Sequence, residues 1–313
     1  LFERVKTMIR VLVTDGMDKN AIEQLKKKGF QVTEQHYGCE ELGTAIAQYD
    51  ALVVRSSTQV RSCHIDQAKG SRLKLILRGG VGIDNIDAEY AEKSGIAVRN
   101  TPRASTESVA ELALAHLLSC CRFISAAGHT MREDKWEKKA YSHGVELHGK
   151  TLGIIGFGRI GQTVGSFGKA LGMKVLAYDL FPVPCLEEQL GVQYVSMEEL
   201  LQQSDFISVH APAADGQPII RAETLAQMKD GVVLINTSRG SNVDEDALLE
   251  ALNSGKVWAA GLDVYRQEPS PNHDLYSHPR VSATPHIGAQ TNEAQSRVGQ
   301  EIVDILCAFF EEN

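Results

Sequence analysis

Short apolar runs alternate with amphipathic stretches along most of this chain. Residues 9–14 (IRVLVT), 31–33, 51–55 (ALVVR), 73–77 (LKLIL) and 96–98 have the length and composition of buried strands. Between them, 19–28 and 88–93 have helical composition. The alternation resumes at 152–155, 174–178, 206–210 (FISVH), 232–236 (VVLIN), 258–262 and 281–283, with helices expected over 244–252 and 291–310. Strands that read as unbroken apolar runs, separated by helices, belong to parallel sheets covered on both faces. The pattern predicts an α/β chain with one layer before residue 150 and a second after it, and it contains no internal repeat.

The longest helical pattern runs from Ser105 to Met131. Ser105 or Ser108 can cap it, and Ser108-x-x-Glu111 fits a capping box. Val109, Leu112, Leu114, Leu117, Leu118, Phe123 and Ile124 make it apolar on more than one face, which predicts burial all round by its own domain or by a second subunit. The charged stretch 132–139 (REDKWEKK) around Trp136 reads as an exposed excursion.

One stretch carries a specific chemical signal, 151–179, TLGIIGFGRIGQTVGSFGKALGMKVLAYD. Gly156, Gly158 and Gly161 follow a strand and open a helix, and the next strand ends on Asp179. Gly156 permits the tight turn, Gly158 removes the Cβ that would bar a pyrophosphate, and Gly161 lets the helix pack on its strand. The helix N-terminus offers N–H groups and a positive dipole end to phosphates. A carboxylate at Asp179 accepts from the adenosine ribose hydroxyls and repels a 2′-phosphate. This predicts an NAD site.

Composition narrows the picture by exclusion. The 313 residues suffice for two domains, and 43% hydrophobic with 23% charged residues is ordinary for a globular protein. A net charge of −8 argues against a nucleic-acid or anionic-membrane surface, and no apolar run reaches the ~20 residues of a membrane span. Cysteines 39, 63, 120, 121, 185 and 307 lack zinc-like spacing, so no metal is expected, and Cys120 and Cys121 read as buried thiols of a reducing compartment. The N-terminal LFERVKTMIR has no signal-peptide core, which makes the cytoplasm the expected location.

Three polar residues stand just past strand ends, where open α/β sheets place ligands: Arg239, Glu268 and His286. With them the chain resembles the D-isomer-specific 2-hydroxyacid dehydrogenases from about Ile9 to Phe310. The resemblance is carried by RGGVGIDNID (78–87), GIIGFGRIG, INTSRG (235–240), LDVYRQEP (262–269) and PHIGAQTNEAQ (285–295). It is strongest toward the catalytic core of the phosphoglycerate dehydrogenase branch. The usual PHIGAS of the family is PHIGAQ here.

The resemblance implies Arg239, Glu268 and His286 as the catalytic set. A guanidinium fork holds the substrate carboxylate and carbonyl, and an imidazole gives and takes a proton near neutral pH, oriented by a carboxylate. It implies cofactor contacts from Val81, Arg159, Ile160, His210, Ala211, Thr237, Ser238, Asp263, Gly288 and Ala289 beside the glycine motif and Asp179. Asp263 is physically suited to accept from the carboxamide. The substrate side is expected from Gly79, Gly80 and Val81, a nest-like loop, and from Arg55, with Lys138 of a neighbouring subunit meeting a substrate phosphate. His36, His64, His116, His129, His143, His148 and His278 have no comparable context.

The implied architecture is two doubly wound parallel-sheet domains. A Rossmann nucleotide-binding domain (102–288) is inserted into a flavodoxin-like substrate domain (1–101 and 289–313), whose last helix carries Ala294, Val298, Ile302, Ile305, Leu306 and Phe309 on one stripe. The active site is expected in the cleft between them, and a homodimer or larger homo-oligomer through the 105–131 helix. The implied substrate is a small, phosphorylated 2-hydroxy or 2-oxo acid, oxidised with NAD as in serine biosynthesis, with no serine-sensing domain following. A hydroxypyruvate or glyoxylate reductase is the main alternative, and an NAD-sensing corepressor is another. Formate dehydrogenase is disfavoured because Gln replaces Glu268 there.

Overall fold

Burial on both faces of the central strands builds the fold, as at 51–54 and 232–236, where every residue is buried. The structure, a computed structural model, describes residues 8–213 and 216–312; the first seven residues of the N-terminal stretch read above lie outside it. The chain divides into two units, one of Leu1–Ser105 with Ala289–Asn313 and one of Thr106–Gly288.

The first unit holds strands β1 (Arg10–Val13), β2 (Gln31–Glu34), β3 (Ala51–Val54), β4 (Leu75–Arg78) and β5 (Ala97–Asn100). They form one parallel sheet in the order β2-β1-β3-β4-β5. Helices α1 (Lys19–Lys27), α2 (Cys39–Ile46), α3 (Ser62–Ala68) and α4 (Ala88–Lys93) make the crossovers. Val11 and Val13 join the core on one face with Leu25, Val53 and Leu77, while Leu12 joins Leu42, Leu52 and Ile65 on the other. Fully burying one such side chain stabilises the fold by roughly 1.5–3 kcal/mol.

The second unit begins with α5 (Thr106–Arg122) and α6 (Ile124–Arg132). It continues as β6 (Thr151–Ile155), α7 (Arg159–Ala170), β7 (Lys174–Tyr178), α8 (Cys185–Leu190), β8 (Gln193–Tyr194), α9 (Met197–Gln203) and β9 (Phe206–Val209). Then follow α10 (Ala222–Gln227), β10 (Val232–Asn236), α11 (Glu245–Ser254), β11 (Val257–Leu262), α12 (His273–Tyr276) and β12 (Val281–Ala283). Its parallel sheet runs β12-β11-β10-β9-β6-β7-β8, so strand order reverses between β6 and β9. In such sheets the loops at the strand C-termini meet a ligand at that reversal.

The last helix, α13 (Asn292–Glu312), returns to the first unit and is the longest. Ala294, Val298, Ile302 and Leu306 are buried, with Ile305 and Phe309 at the margin of the same core. Gly299 makes this possible, since a Cβ there would lie 2.8 Å from that of Ala21 on α1.

The expected single helix over 105–131 is broken. Phe123 takes a left-handed conformation (φ 55°), and α5 and α6 meet at 68°. The Phe123 ring packs edge-on against Trp258 and lies beside Tyr141, which favours the turn although no Gly or Pro marks it. Ser108 sits inside the first turn of α5 rather than at its cap. Burial all round fails as well: α5 is largely buried, but α6 has no buried residue, and Leu118, Ile124 and Met131 are exposed. No single helix among the described residues is long and apolar enough to cross a membrane; α5 and α6 pass that test only as a bent pair. The excursion 132–139 is exposed throughout, with Trp136 80% accessible.

Candidate active site

Because the strands of the second unit are parallel, all their C-termini lie on one edge of the sheet. Gly156 follows β6, Asp179 follows β7, His210 and Ala211 follow β9, Thr237, Ser238 and Arg239 follow β10, Asp263 follows β11, and His286 follows β12. Residues scattered over 130 positions of sequence are thus brought to one edge.

The glycine turn has the expected shape. Gly156 has φ +89°, and a Cβ on it would lie 2.5 Å from the Ala211 nitrogen. A Cβ on Gly161 would lie 2.3 Å from the Gly156 carbonyl oxygen, whereas one on Gly158 would meet nothing within 4 Å. Packing therefore requires two of the glycines, and the third leaves open space. No side chain caps α7, so the N–H groups of Arg159, Ile160 and Gly161 in its first turn are offered outward. Asp179 is tied into this turn, accepting from the Phe157 N–H at 2.7 Å and from the Phe181 N–H at 2.9 Å.

Two buried polar atoms on the same edge have no hydrogen-bond partner, His210 Nδ1 and Thr237 Oγ1. The other His210 nitrogen is 2.8 Å from Ser208 Oγ, and burial pushes the imidazole pKa down to about 4. Orphaned buried groups are rare unless a ligand completes them. With the open face at Gly158, they fit a bound dinucleotide.

Sequence reasoning missed the residues that hold the Arg239 loop. Asn236 Oδ1 accepts from Ser238 N–H and O–H, and its amide donates to the Arg239 carbonyl. The Asn242 amide donates to the Ala211 carbonyl and to Ser238 Oγ. Both asparagines are fully buried. The only hint was their place in INTSRGSN, since an amide that both donates and accepts can substitute for backbone pairing in a turn. Gly240 brings the next loop close: a Cβ there would lie 1.9 Å from the Tyr265 carbonyl carbon.

His286 Nδ1 and Glu268 Oε2 are 2.6 Å apart, each side chain 36% exposed. The other Glu268 oxygen accepts from the Tyr265 N–H. Burial raises the Glu268 pKa, but the His286 hydrogen bond and charge, the Tyr265 N–H and the Arg239 guanidinium outweigh it and hold the carboxyl below its ordinary range. A carboxylate accepts, so Nδ1 carries the proton toward Glu268 and Nε2 is left for a reacting group. Burial, then the charges of Asp263, Glu245 and Glu268, push the Tyr265 hydroxyl up to about 12.

Asp263 clamps the His286 loop. Its carbonyl accepts from the His286 N–H, Oδ1 from the Ile287 N–H and Oδ2 from the Gly288 N–H, all at 2.8 Å. His286 is thereby held in a left-handed conformation, φ 54°. This clamp was not foreseen; Oδ2 retains acceptor capacity for a carboxamide.

The remaining expected residues belong elsewhere. Arg55, Gly79, Gly80, Val81 and Ala289 lie in the first unit, and Lys138 is exposed on the excursion of the second. Arg55 follows β3, its N–H donating to Asp15; burial lowers the guanidinium pKa and the Asp15 charge opposes this. No group of three or more possible metal ligands occurs among the described residues.

Comparison with known proteins completes the picture. Residues 114–288 match the family described as D-isomer specific 2-hydroxyacid dehydrogenase, NAD binding domain. A hydroxypyruvate reductase of Thermotoga maritima is 49% identical over 301 residues, covering 94% of this chain and 96% of that one. A D-3-phosphoglycerate dehydrogenase of Archaeoglobus fulgidus is 44% identical over 299 residues, covering 95% of this chain and 56% of the relative. The chain thus spans little more than half the length of that relative. The structure of D-lactate dehydrogenase from Aquifex aeolicus complexed with NAD and lactic acid matches with TM-score 0.86 and 31% identity, covering 96% of each chain. The cofactor is NAD.

Proposed function

Because the chain belongs to the D-isomer-specific 2-hydroxyacid dehydrogenases, we propose that it interconverts hydroxypyruvate and D-glycerate. The observation that carries the chemistry is the 2.6 Å pair of His286 and Glu268, with the Arg239 charge acting on the same carboxylate. When bound, NAD supplies the exchange of hydride with C2. In reduction, His286 Nε2 delivers its proton to the C2 oxygen while Glu268 offers the ring a counter-charge. In oxidation the same nitrogen takes the proton back. Arg239 holds the carboxylate and polarises the C2 oxygen with its planar fork. Thr237, Ser238, Asp263 and Gly288 would hold the nicotinamide end, and the 156–161 turn with Asp179, His210 and Ala211 would hold the rest of the dinucleotide. The choice of hydroxypyruvate is supported by the end-to-end likeness to a hydroxypyruvate reductase.

A second reading places a phosphate on C3, making 3-phosphoglycerate the hydroxy acid. It is supported by Arg55, a partly buried guanidinium at a strand end beside the Gly79–Gly80–Val81 turn, with Lys138 of a second copy as the further cation. NAD-linked assays on hydroxypyruvate, D-glycerate, glyoxylate, 3-phosphoglycerate, D-lactate and 2-oxoglutarate separate the two. If kcat/KM for 3-phosphoglycerate exceeds that for D-glycerate and falls in Arg55→Ala, the first reading is wrong. Turnover of none of them would sink both. The exposed apolar side chains of Leu118, Ile124, Met131 and Trp136 support a homodimer. A monomeric mass in solution at micromolar concentration would refute it.

A further inference from the structure

His116 had no role in the sequence reading, yet it is 2% exposed in the middle of α5. Gly261 on β11 lets α5 approach the sheet at this point, since a Cβ there would lie 2.6 Å from the His116 Cβ. Its ring spans to the edge strand β12 and the residue after it: Nδ1 is 3.0 Å from Ser282 Oγ and Nε2 is 2.9 Å from Thr284 Oγ1. Thr284 Oγ1 in turn is 2.7 Å from Asp263 Oδ1.

Donor logic fixes the direction of this chain. Both Asp263 oxygens accept from backbone N–H groups, of Ile287 and Gly288, so the Thr284 hydroxyl donates to Oδ1. With its proton committed, Thr284 Oγ1 accepts from His116 Nε2–H. Nδ1 is then the acceptor, and Ser282 donates to it. One tautomer satisfies every atom, and burial, opposed by the Asp263 charge, lowers the His116 pKa and keeps the ring neutral.

We propose that His116 is a positioning residue for His286, acting through Thr284 and Asp263 along this directed chain. The inference rests on His286 being the proton carrier. The Thr284 hydroxyl fixes the rotation of the Asp263 carboxylate. That carboxylate holds the N–H groups of Ile287 and Gly288, and the Asp263 carbonyl holds that of His286. Small displacements of a reacting group are costly in rate, so loosening this clamp slows proton transfer without removing any group that touches substrate.

The test compares Thr284→Val, Thr284→Ser, His116→Leu and His116→Gln, plus the Thr284→Val/His116→Leu double variant. Amide hydrogen exchange in the apo protein needs no substrate: protection at Ile287 and Gly288 falls about tenfold in Thr284→Val and His116→Leu and is restored by Ser and Gln. With hydroxypyruvate and NADH, kcat per bound NADH falls about tenfold in the same two variants, with KM for NADH changed less than twofold. The double variant is no worse than Thr284→Val, because links in series do not add. Unchanged exchange in Thr284→Val, multiplying losses in the double variant, or failure of Thr284→Ser to recover overturns the proposal. If His116→Leu does not fold, the Thr284 pair decides alone. His286→Ala, measured alongside, separates the two failures: wild-type turnover there refutes the proton carrier, whereas loss there with none in Thr284→Val refutes only the relay.

Discussion

His210 offers a test of the site that needs no substrate. Its imidazole is half-buried at the end of β9 with one nitrogen on Ser208 and the other shut from solvent and unpaired, and desolvation pushes its pKa down from 6.5 to about 4. As pH falls through 6.5 the unfolded chain takes up a proton that the folded chain refuses until about 4. Stability from this residue is therefore complete above the unfolded pKa and is lost on the way down to the folded one. Linkage gives a loss of about 2 kcal/mol between pH ~7.5 and ~5, approaching about 3 kcal/mol at the bottom of the window. Urea unfolding followed by circular dichroism across that range supplies the curve. His210→Gln, whose amide can keep the bond to Ser208, removes the titration and leaves other groups in place. The difference between wild-type and variant curves then isolates the histidine. Parallel curves would mean that the imidazole protonates freely in the fold and that the reasoning from burial is wrong.

Three further outcomes follow from the same geometry. Glu268→Gln removes the counter-charge of His286 and should lower kcat about 100-fold with little change in NADH affinity; a loss under threefold would detach Glu268 from the chemistry. Asp179→Ala removes the carboxylate proposed to receive the ribose hydroxyls and should raise KM for NAD by about tenfold or more while narrowing the expected preference over NADP; an unchanged ratio would show that discrimination lies elsewhere. Ellman's reagent on native protein at pH ~8 should modify the exposed Cys39, Cys63 and Cys185 but spare Cys120 and Cys121, whose thiols burial pushes up to about 12; rapid modification of the helix pair would contradict their packing.

Much of the fold was legible because burial on both faces leaves unbroken apolar runs, as at 232–236, where the expected and observed strand coincide. The glycine turn was legible for a different reason, since its residues fall within six positions at a fixed spacing, even though the crowding at Gly156 comes from Ala211 on another strand end and Gly158 meets nothing within 4 Å. What escaped notice is mostly non-local. The break at Phe123 depends on Trp258, far along the chain, and carries no Gly or Pro to announce it. The Asp263 clamp needs β12 to lie beside β11, and His116 reaches Thr284 across 168 positions of sequence. Asn236 and Asn242 looked like ordinary loop residues because an amide reveals its use only when its partners are in place. Short edge strands such as β8 bury too little to leave a pattern at all.

Gly261 has a consequence for descent. One hydrogen atom in place of a methyl group at that position is what lets α5 lie so close to β11, because a Cβ there would meet the His116 Cβ at 2.6 Å and Ile235 Cδ1 at 2.8 Å. Among homologous chains, bulk at 261 should therefore go with a wider gap between helix and strand, whatever side chain stands at 116. Lineages that acquired alanine at 261 should hold residue 116 out of reach of Thr284 and fasten the His286 loop by some other means.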